Sequence, residues 1–350
     1  MHIKRVLLIG YGFSGRRIYR VLQYLKRELN FKVVGIIDKN KNLDFPRRVK
    51  FYSTIEHFFI NDCNGADIAI IATNDFNHEI VFKKLSKYKN IDIISEKPLV
   101  KDIRSYKRLR SFFEERKVYI NYVERFSPVL DDLLKFLAKN PIKLTKGIFF
   151  WGKDRYFDKR PTQGVYAEIT HPLDLLIYLF NFKSPYIKVN SFTKFEFAVN
   201  NKLLVDSLDI TIKENGLEFK GHSSFTWFVR KREFILYGKS EKNKNLRYQI
   251  NLRFDNEKWD RDSISINVVN IKKKRRKEIL FKNYPNKDYI LDLDQLNKIF
   301  LFLKMSFISI LKNEPDRKIA VLRDGQKNLE FIQQIKNQIN KRKSDKYGFI

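Results

Sequence analysis

One cysteine, Cys63, in 350 residues excludes a disulfide framework and a cysteine-rich zinc site. Long apolar runs are also missing. The most apolar late segment, residues 299–311, carries Lys304 and falls short of the roughly 20 residues that span a bilayer. Residues 6–9, the first apolar run, are strand-length and lead straight into glycines, so no signal peptide is expected. A cytoplasmic protein fits these absences. Alanine is scarce, whereas Asn, Ile and Phe are abundant and lysine is spread along the whole chain. The formal net charge of +30 points toward polyanions, but this dispersion matches an AT-rich coding bias better. The dense basic cluster is Lys-Lys-Lys-Arg-Arg-Lys at 272–277, between strand-like residues 264–269 and 279–281. It reads as a solvated hairpin tip, with an anionic membrane surface or polyanion as the alternative. Neither zinc-finger spacing nor an RNA-binding aromatic motif accompanies it.

What is present is ample core material: 43% hydrophobic residues and 15% aromatics, enough for a globular chain. At this length two domains of ordinary size are expected. In the first 120 residues, short apolar runs alternate with helical patterns, the signature of a parallel sheet with crossover helices. Strands are expected at 3–9, 31–37, 68–72, 91–95 and 118–121, and helices at 15–30, 79–87 and 105–116. Beyond about residue 125, long alternating stretches suit an antiparallel sheet covered on one face. These lie at 145–151, 187–199, 207–213, 217–227, 232–237 and 264–271. Two helical stretches, 291–311 and 323–341, close the chain.

Gly10, Gly12 and Gly15 sit between a strand and a helix, the context that gives their spacing meaning. The first permits a tight turn, the second lets a pyrophosphate approach, and the third allows helix to pack on strand. Asp38 ends the second strand 23 residues after Gly15, where an acid accepts ribose hydroxyls and repels a 2′-phosphate. NAD is therefore favoured over NADP, a preference softened by Lys39 and Lys41. Thr73 and Asn74 follow a buried strand at its carboxyl end, and His78 is placed to cap the next helix. Glu96-Lys97-Pro98 follows another strand; the proline biases Lys97 toward an extended backbone that aims its side chain into a cleft. On a helix, Glu168, His171 and Asp174 are successive i, i+3 neighbours and form one polar stripe. A neutral histidine suits proton removal from an alcohol, and a neighbouring carboxylate would orient it.

In this order the motifs resemble the glucose–fructose oxidoreductase/inositol dehydrogenase (Gfo/Idh/MocA) family. The likeness covers nearly the whole chain, with Glu96-Lys97-Pro98 and His171-x-x-Asp174 as its specific part. Residues 121–128, Asn-Tyr-Val-Glu-Arg-Phe-Ser-Pro, look like the family's segment joining two domains. The resemblance implies an N-terminal Rossmann doubly wound parallel sheet (1–122). It also implies a C-terminal α/β domain with a large, mostly antiparallel open sheet (123–322), a helix packing back on the N-terminal domain (323–343) and a tail (344–350). It implies hydride exchange between NAD, or NADP, and a carbinol carbon of a sugar, the Glu-Arg-Phe-Ser-Pro wording leaning toward nucleotide sugars. The cofactor contacts implied are Gly10, Gly12, Phe13, Ser14, Gly15, Asp38, Thr73, Asn74, His78, Glu96 and Lys97. Catalysis falls to Lys97 and His171 with Asp174 or Glu168; Tyr122 and Arg125 join Lys97, His171 and Asp174 around substrate. No metal and no nucleic acid are expected, and a homodimer or homotetramer through the open sheet is. Ala167 stands where many members have Asp, four before the histidine, and Glu168 takes its place in one branch. Pro172 is expected to kink or restart the helix, and Asn74 replaces the family's proline. The rival readings are an imine or tetrapyrrole reductase on the same scaffold, a non-catalytic dinucleotide-binding regulator, and a polyanion-binding protein.

Overall fold

Strands β1 (Lys4–Ile9), β2 (Phe31–Ile37), β3 (Phe51–Tyr52), β4 (Ile68–Ile71), β5 (Asp92–Glu96) and β6 (Val118–Asn121) form around short apolar runs of the sequence. The computed structural model describes residues 3–158, 160–197, 202–255, 258–284 and 296–342. With the two-residue strand at Ala320–Val321, these six form a seven-stranded sheet. From that short strand, which pairs antiparallel with β6, the order continues β6-β5-β4-β1-β2-β3, all parallel. β4 is buried throughout, as a parallel strand covered on both faces must be. Helix α1 (Phe13–Leu25) turns Ile18, Val21, Leu22 and Leu25 inward, the expected helical spacing. Strand order reverses between β1 and β4, so the crevice beyond their carboxyl ends is the topological switch point. Two details differ from the sequence reading. Residues 105–116 form two short helices, α4 (Ile103–Arg108) and α5 (Arg110–Glu114), broken at Leu109. A further helix, α2 (Ile55–Asn61), starts where the Thr54 side chain accepts the His57 amide at 3.0 Å.

The first compact unit is Met1–Val123 with Lys298–Leu329, and the second is Glu124–Asn297 with Glu330–Ile350. This corrects the expectation that the chain up to 322 belongs to the second domain. Helix α8 (Asn297–Lys312) sends aromatic side chains into the first unit: Phe307 stacks on Phe31 at 4.6 Å, and Phe300 meets Tyr24 edge-on at 5.7 Å. Likewise helix α9 (Leu322–Lys341) does not belong wholly to the N-terminal unit. Leu329 joins that core, but Phe331, Ile332, Ile335 and Ile339 enter the core of the second. Residues 291–295 of the expected helix, 198–199 of an expected strand, residue 343 and the expected tail lie outside the described residues.

An eight-stranded sheet organises the second unit. Its strands are β7 (Ile142–Asp154), β8 (Tyr186–Phe197), β9 (Lys202–Glu214), β10 (Leu217–Ser224), β11 (Thr226–Ser240), β12 (Leu246–Arg253), β13 (Ser263–Asn270) and β14 (Arg275–Asn283). They run in the order β14-β13-β12-β11-β7-β10-β9-β8, antiparallel except for β7 with β10. Helices α6 (Pro128–Lys139) and α7 (Tyr166–Phe180) contribute to the core on one face. α7 is buried almost all round, from Glu168 to Ile177. Pro172 lies inside it, and the helix continues through His171 instead of restarting there.

Candidate functional site

At the switch point the glycines divide by role. Gly10 has φ +96°, and a Cβ there would stand 2.7 Å from the backbone of Ala72 and Thr73. A Cβ on Gly15 would stand 2.0 Å from the Gly10 carbonyl oxygen. Gly12, the residue that opens α1, has nothing within 4 Å of a built Cβ. The first two glycines are demanded by the chain itself; the third leaves open space in front of a helix start with no side-chain cap and no acid in its first turn. Asp38, just past β2, accepts the Tyr11 amide at 2.7 Å on Oδ2 and the Asn40 amide at 2.9 Å on Oδ1. Glu96 Oε1 accepts both Ser14 Oγ at 2.8 Å and Asn121 Nδ2 at 2.9 Å. One carboxylate thereby ties the first turn of α1 to the ends of β5 and β6. Lys97 comes next and is half-buried, and its bond to Pro98 is cis. Thr73 Oγ1 and Asn121 Oδ1 are buried with no hydrogen-bond partner among the described residues. Space at Gly12, an uncapped helix start, an acid beyond β2 and two orphaned polar atoms together fit a dinucleotide.

In the second unit, the polar stripe of α7 is embedded in ion pairs. Arg125, 2% exposed, donates to Asp174 twice, Nε to Oδ2 at 2.8 Å and Nη2 to Oδ1 at 2.6 Å. Its guanidinium also lies 5.0 Å from the Tyr178 ring. Arg232 of β11 donates to Glu168 at 2.6 Å, to Glu124 at 3.0 Å and to Asp255 at 2.5 Å. Burial alone would depress this guanidinium, but Glu168, Asp255 and Glu124 outweigh it and hold its pKa above the usual arginine value. Lys153 Nζ forms an ion pair with Glu168 Oε2 at 2.6 Å. His171, 6% exposed, stacks on Trp151 with ring centres 5.9 Å apart. Arg230 lies 4.3 Å over Trp259, its pKa pushed down by burial and by Arg232.

Residues 4–123 match a family model described as an oxidoreductase family with an NAD-binding Rossmann fold, GFO_IDH_MocA. Over that segment the chain is similar to that family's NAD-binding domain. Its match ends at the last residue of the first unit's opening segment. Among curated proteins, none matches the chain. Solved structures extend the likeness over both units. Levoglucosan dehydrogenase, in complex with NADH and levoglucosan, is 16% identical with a TM-score of 0.76, covering 97% of each chain. UDP-N-acetylglucosamine 3-dehydrogenase GnnA from Acidithiobacillus ferrooxidans is 15% identical with a TM-score of 0.67, over 96% of this chain and 97% of the other. A dehydrogenase (MviM) from Clostridium difficile is 14% identical with a TM-score of 0.68, over 97% and 100%. At such identities the likeness is one of fold: a Rossmann sheet followed by a mostly antiparallel sheet.

Within the first unit, the expected cofactor contacts Gly10, Gly12, Phe13, Ser14, Gly15, Asp38, Thr73, Asn74, Glu96 and Lys97 all lie on the switch-point turn, the first turn of α1 or the carboxyl ends of β2, β4 and β5. His78 does not join them. It is fully buried at the start of helix α3 (His78–Leu85). Its Nδ1 faces the carbonyls of Pro98 and Leu99 at 2.9 and 3.2 Å, and Nε2 that of Thr73 at 3.2 Å. Carbonyls face both ring nitrogens, so the residue pins the loop after Lys97 to the turn at Thr73. Arg125, expected at substrate, is committed to Asp174, and Tyr122 is 2% exposed in the first unit's core. Sequence reasoning missed Arg232, Glu124 and the β7 pair Trp151 and Lys153, which come from three separate segments. The available signal was charge: an apolar helix carrying Glu168 and Asp174 must meet buried cations. Among the described residues no group of three or more His, Cys, Asp or Glu side chains is placed to hold a metal ion.

Proposed function

We propose that the protein is an NAD-dependent dehydrogenase or reductase acting at a carbinol carbon of a sugar, with nucleotide sugars the favoured class. The observation that carries this reading is Lys97, at the carboxyl end of β5 and joined through Glu96 to the glycine turn by the 2.8 Å bond to Ser14. NAD, when bound, supplies the hydride acceptor. Gly12 and the first amides of α1 would take the pyrophosphate, and Asp38 the adenosine ribose hydroxyls. Lys97 stabilises the negative charge that develops on the substrate oxygen. His171 takes the hydroxyl proton on an imidazole nitrogen, and the arginine-paired Asp174 and Glu168 hold the stripe that carries it. The similarity in fold to levoglucosan dehydrogenase and UDP-N-acetylglucosamine 3-dehydrogenase supports the substrate class. We assign the uncovered face of the eight-stranded sheet to self-association as a homodimer or homotetramer; a monomer mass by light scattering would remove that assignment.

The test is absorbance of reduced nicotinamide on mixing the protein with nucleotide sugars and free sugars, with NAD and NADP in parallel. Turnover of at least one polyol, faster with NAD, is expected. Failure of every polyol with both cofactors, in protein that binds the dinucleotide, would overturn the reading. Turnover of an imine instead would favour the reductase alternative.

A further inference from the structure

The hydride-transfer reading leaves the cationic end of the second sheet unexplained. β13 and β14 form a hairpin whose turn and first strand residues are Lys272, Lys273, Lys274, Arg275, Arg276 and Lys277, six consecutive cations. All six are exposed, and none pairs with a carboxylate among the described residues. The neighbouring β11–β12 turn lies alongside, since the Ile271 amide donates to the Asn245 carbonyl at 2.9 Å. It adds exposed Lys242 and Lys244. Lys239 of β11 pairs in register with Lys143 of β7 at the same end. Glu241 and Glu278 are interspersed, leaving a strong positive excess.

Protection of an edge strand accounts for part of this. β14 ends the sheet, and charge on an edge discourages pairing with another chain. Lys272, Lys273 and Lys274, however, lie in the turn, off the strand, where they protect no edge. Apolar side chains also stand beside the cations: Ile271, in the turn, is 49% exposed, and Ile279, two residues past Lys277, is 41% exposed. A nucleic-acid backbone offers nothing that would cover an isoleucine, whereas the boundary between lipid headgroups and acyl chains does.

We propose that this hairpin end is a docking surface for an anionic phospholipid membrane, which the protein binds peripherally. β7 places the surface away from the chemistry. Its start, Ile142, is at the basic end, and Lys153, which pairs with Glu168, is at the other. Along β7 the two are separated by about 36 Å at the usual strand rise of ~3.3 Å per residue, so docking leaves the polar stripe of α7 clear. Each cation close to such a surface strengthens partition about fivefold, and salt weakens it.

The intact chain is sedimented with phosphatidylcholine vesicles that contain or lack phosphatidylglycerol, at low and high salt. A duplex oligonucleotide is titrated in parallel. Binding is expected to the anionic vesicles alone and to fall at high salt. Combined Lys272→Glu, Lys273→Glu and Lys274→Glu should weaken it about a hundredfold or more, with NADH binding unchanged as the control for folding. Ile271→Ser with Ile279→Ser should weaken vesicle binding several-fold and leave any oligonucleotide binding unaltered. Equal binding to neutral vesicles, unchanged binding by the triple variant, or tighter binding to the oligonucleotide than to anionic vesicles would overturn the proposal.

Discussion

At the scale of single residues, the three glycines of one motif make separable predictions. Gly15→Ala would drive a Cβ to 2.0 Å from a carbonyl oxygen. It should cost about 2–4 kcal/mol of stability, read as a lowered urea midpoint. Gly12→Ala meets nothing within 4 Å, so the same measurement should move by less than about 1 kcal/mol. Its effect should appear instead in NADH titration, as at least a tenfold loss of affinity. Equal stability losses in the two variants would contradict the division of roles. His171→Ala should lower turnover about 10²–10⁴-fold with NADH affinity intact; near-normal turnover would remove His171 from the reaction. Glu79 carries a pH prediction. Hydrogen bonds from Arg108 and Ser105 hold its carboxyl at about 2, against an ordinary value near ~4.3. Because the folded pKa is the lower one, its stabilisation is present above about pH 4.3 and is lost as pH falls toward 2. Arg108 is half-exposed, which limits the contribution to about 1 kcal/mol. Glu79→Gln should flatten the fall in thermal midpoint over that window.

At the scale of elements, α7 shows what a sequence pattern contains and what it omits. The i, i+3 spacing of Glu168, His171 and Asp174 was legible because a helix repeats locally. Their partners were not, because Arg125, Lys153 and Arg232 reach them from a 3-10 turn and two strands, 15 to 64 residues away. Pro172 was expected to interrupt the helix, yet α7 is buried from Glu168 to Ile177. Packing on that scale outweighs the loss of one backbone hydrogen bond. The network makes its own prediction. Arg232→Met would leave Glu124, Glu168 and Asp255, each 1% exposed, without their shared cation. Removing one partner of such a cluster costs about 3–5 kcal/mol, to be read from urea unfolding. A change below about 1 kcal/mol would mean that the carboxylates are neutral or solvated.

At the scale of the whole molecule, the alternation of runs and helices was enough to reveal a parallel sheet followed by an antiparallel one. The assignment of late helices to units was not, since α8 reads as generic apolar helix. Only Phe307 against Phe31 and Phe300 against Tyr24 reveal which core it joins. The +30 charge also divides once the fold is known, into lysines dispersed over the surface and one concentrated hairpin end. The central claim is hydride transfer from a carbinol carbon, and isotope transfer tests it most directly. Sugars and nucleotide sugars deuterated at each carbinol carbon are incubated with NAD and the protein, and the reduced nicotinamide is weighed by mass spectrometry. The account predicts one deuterium in the reduced cofactor from one labelled carbon of at least one sugar. Reduced cofactor without label from any carbinol position would contradict it.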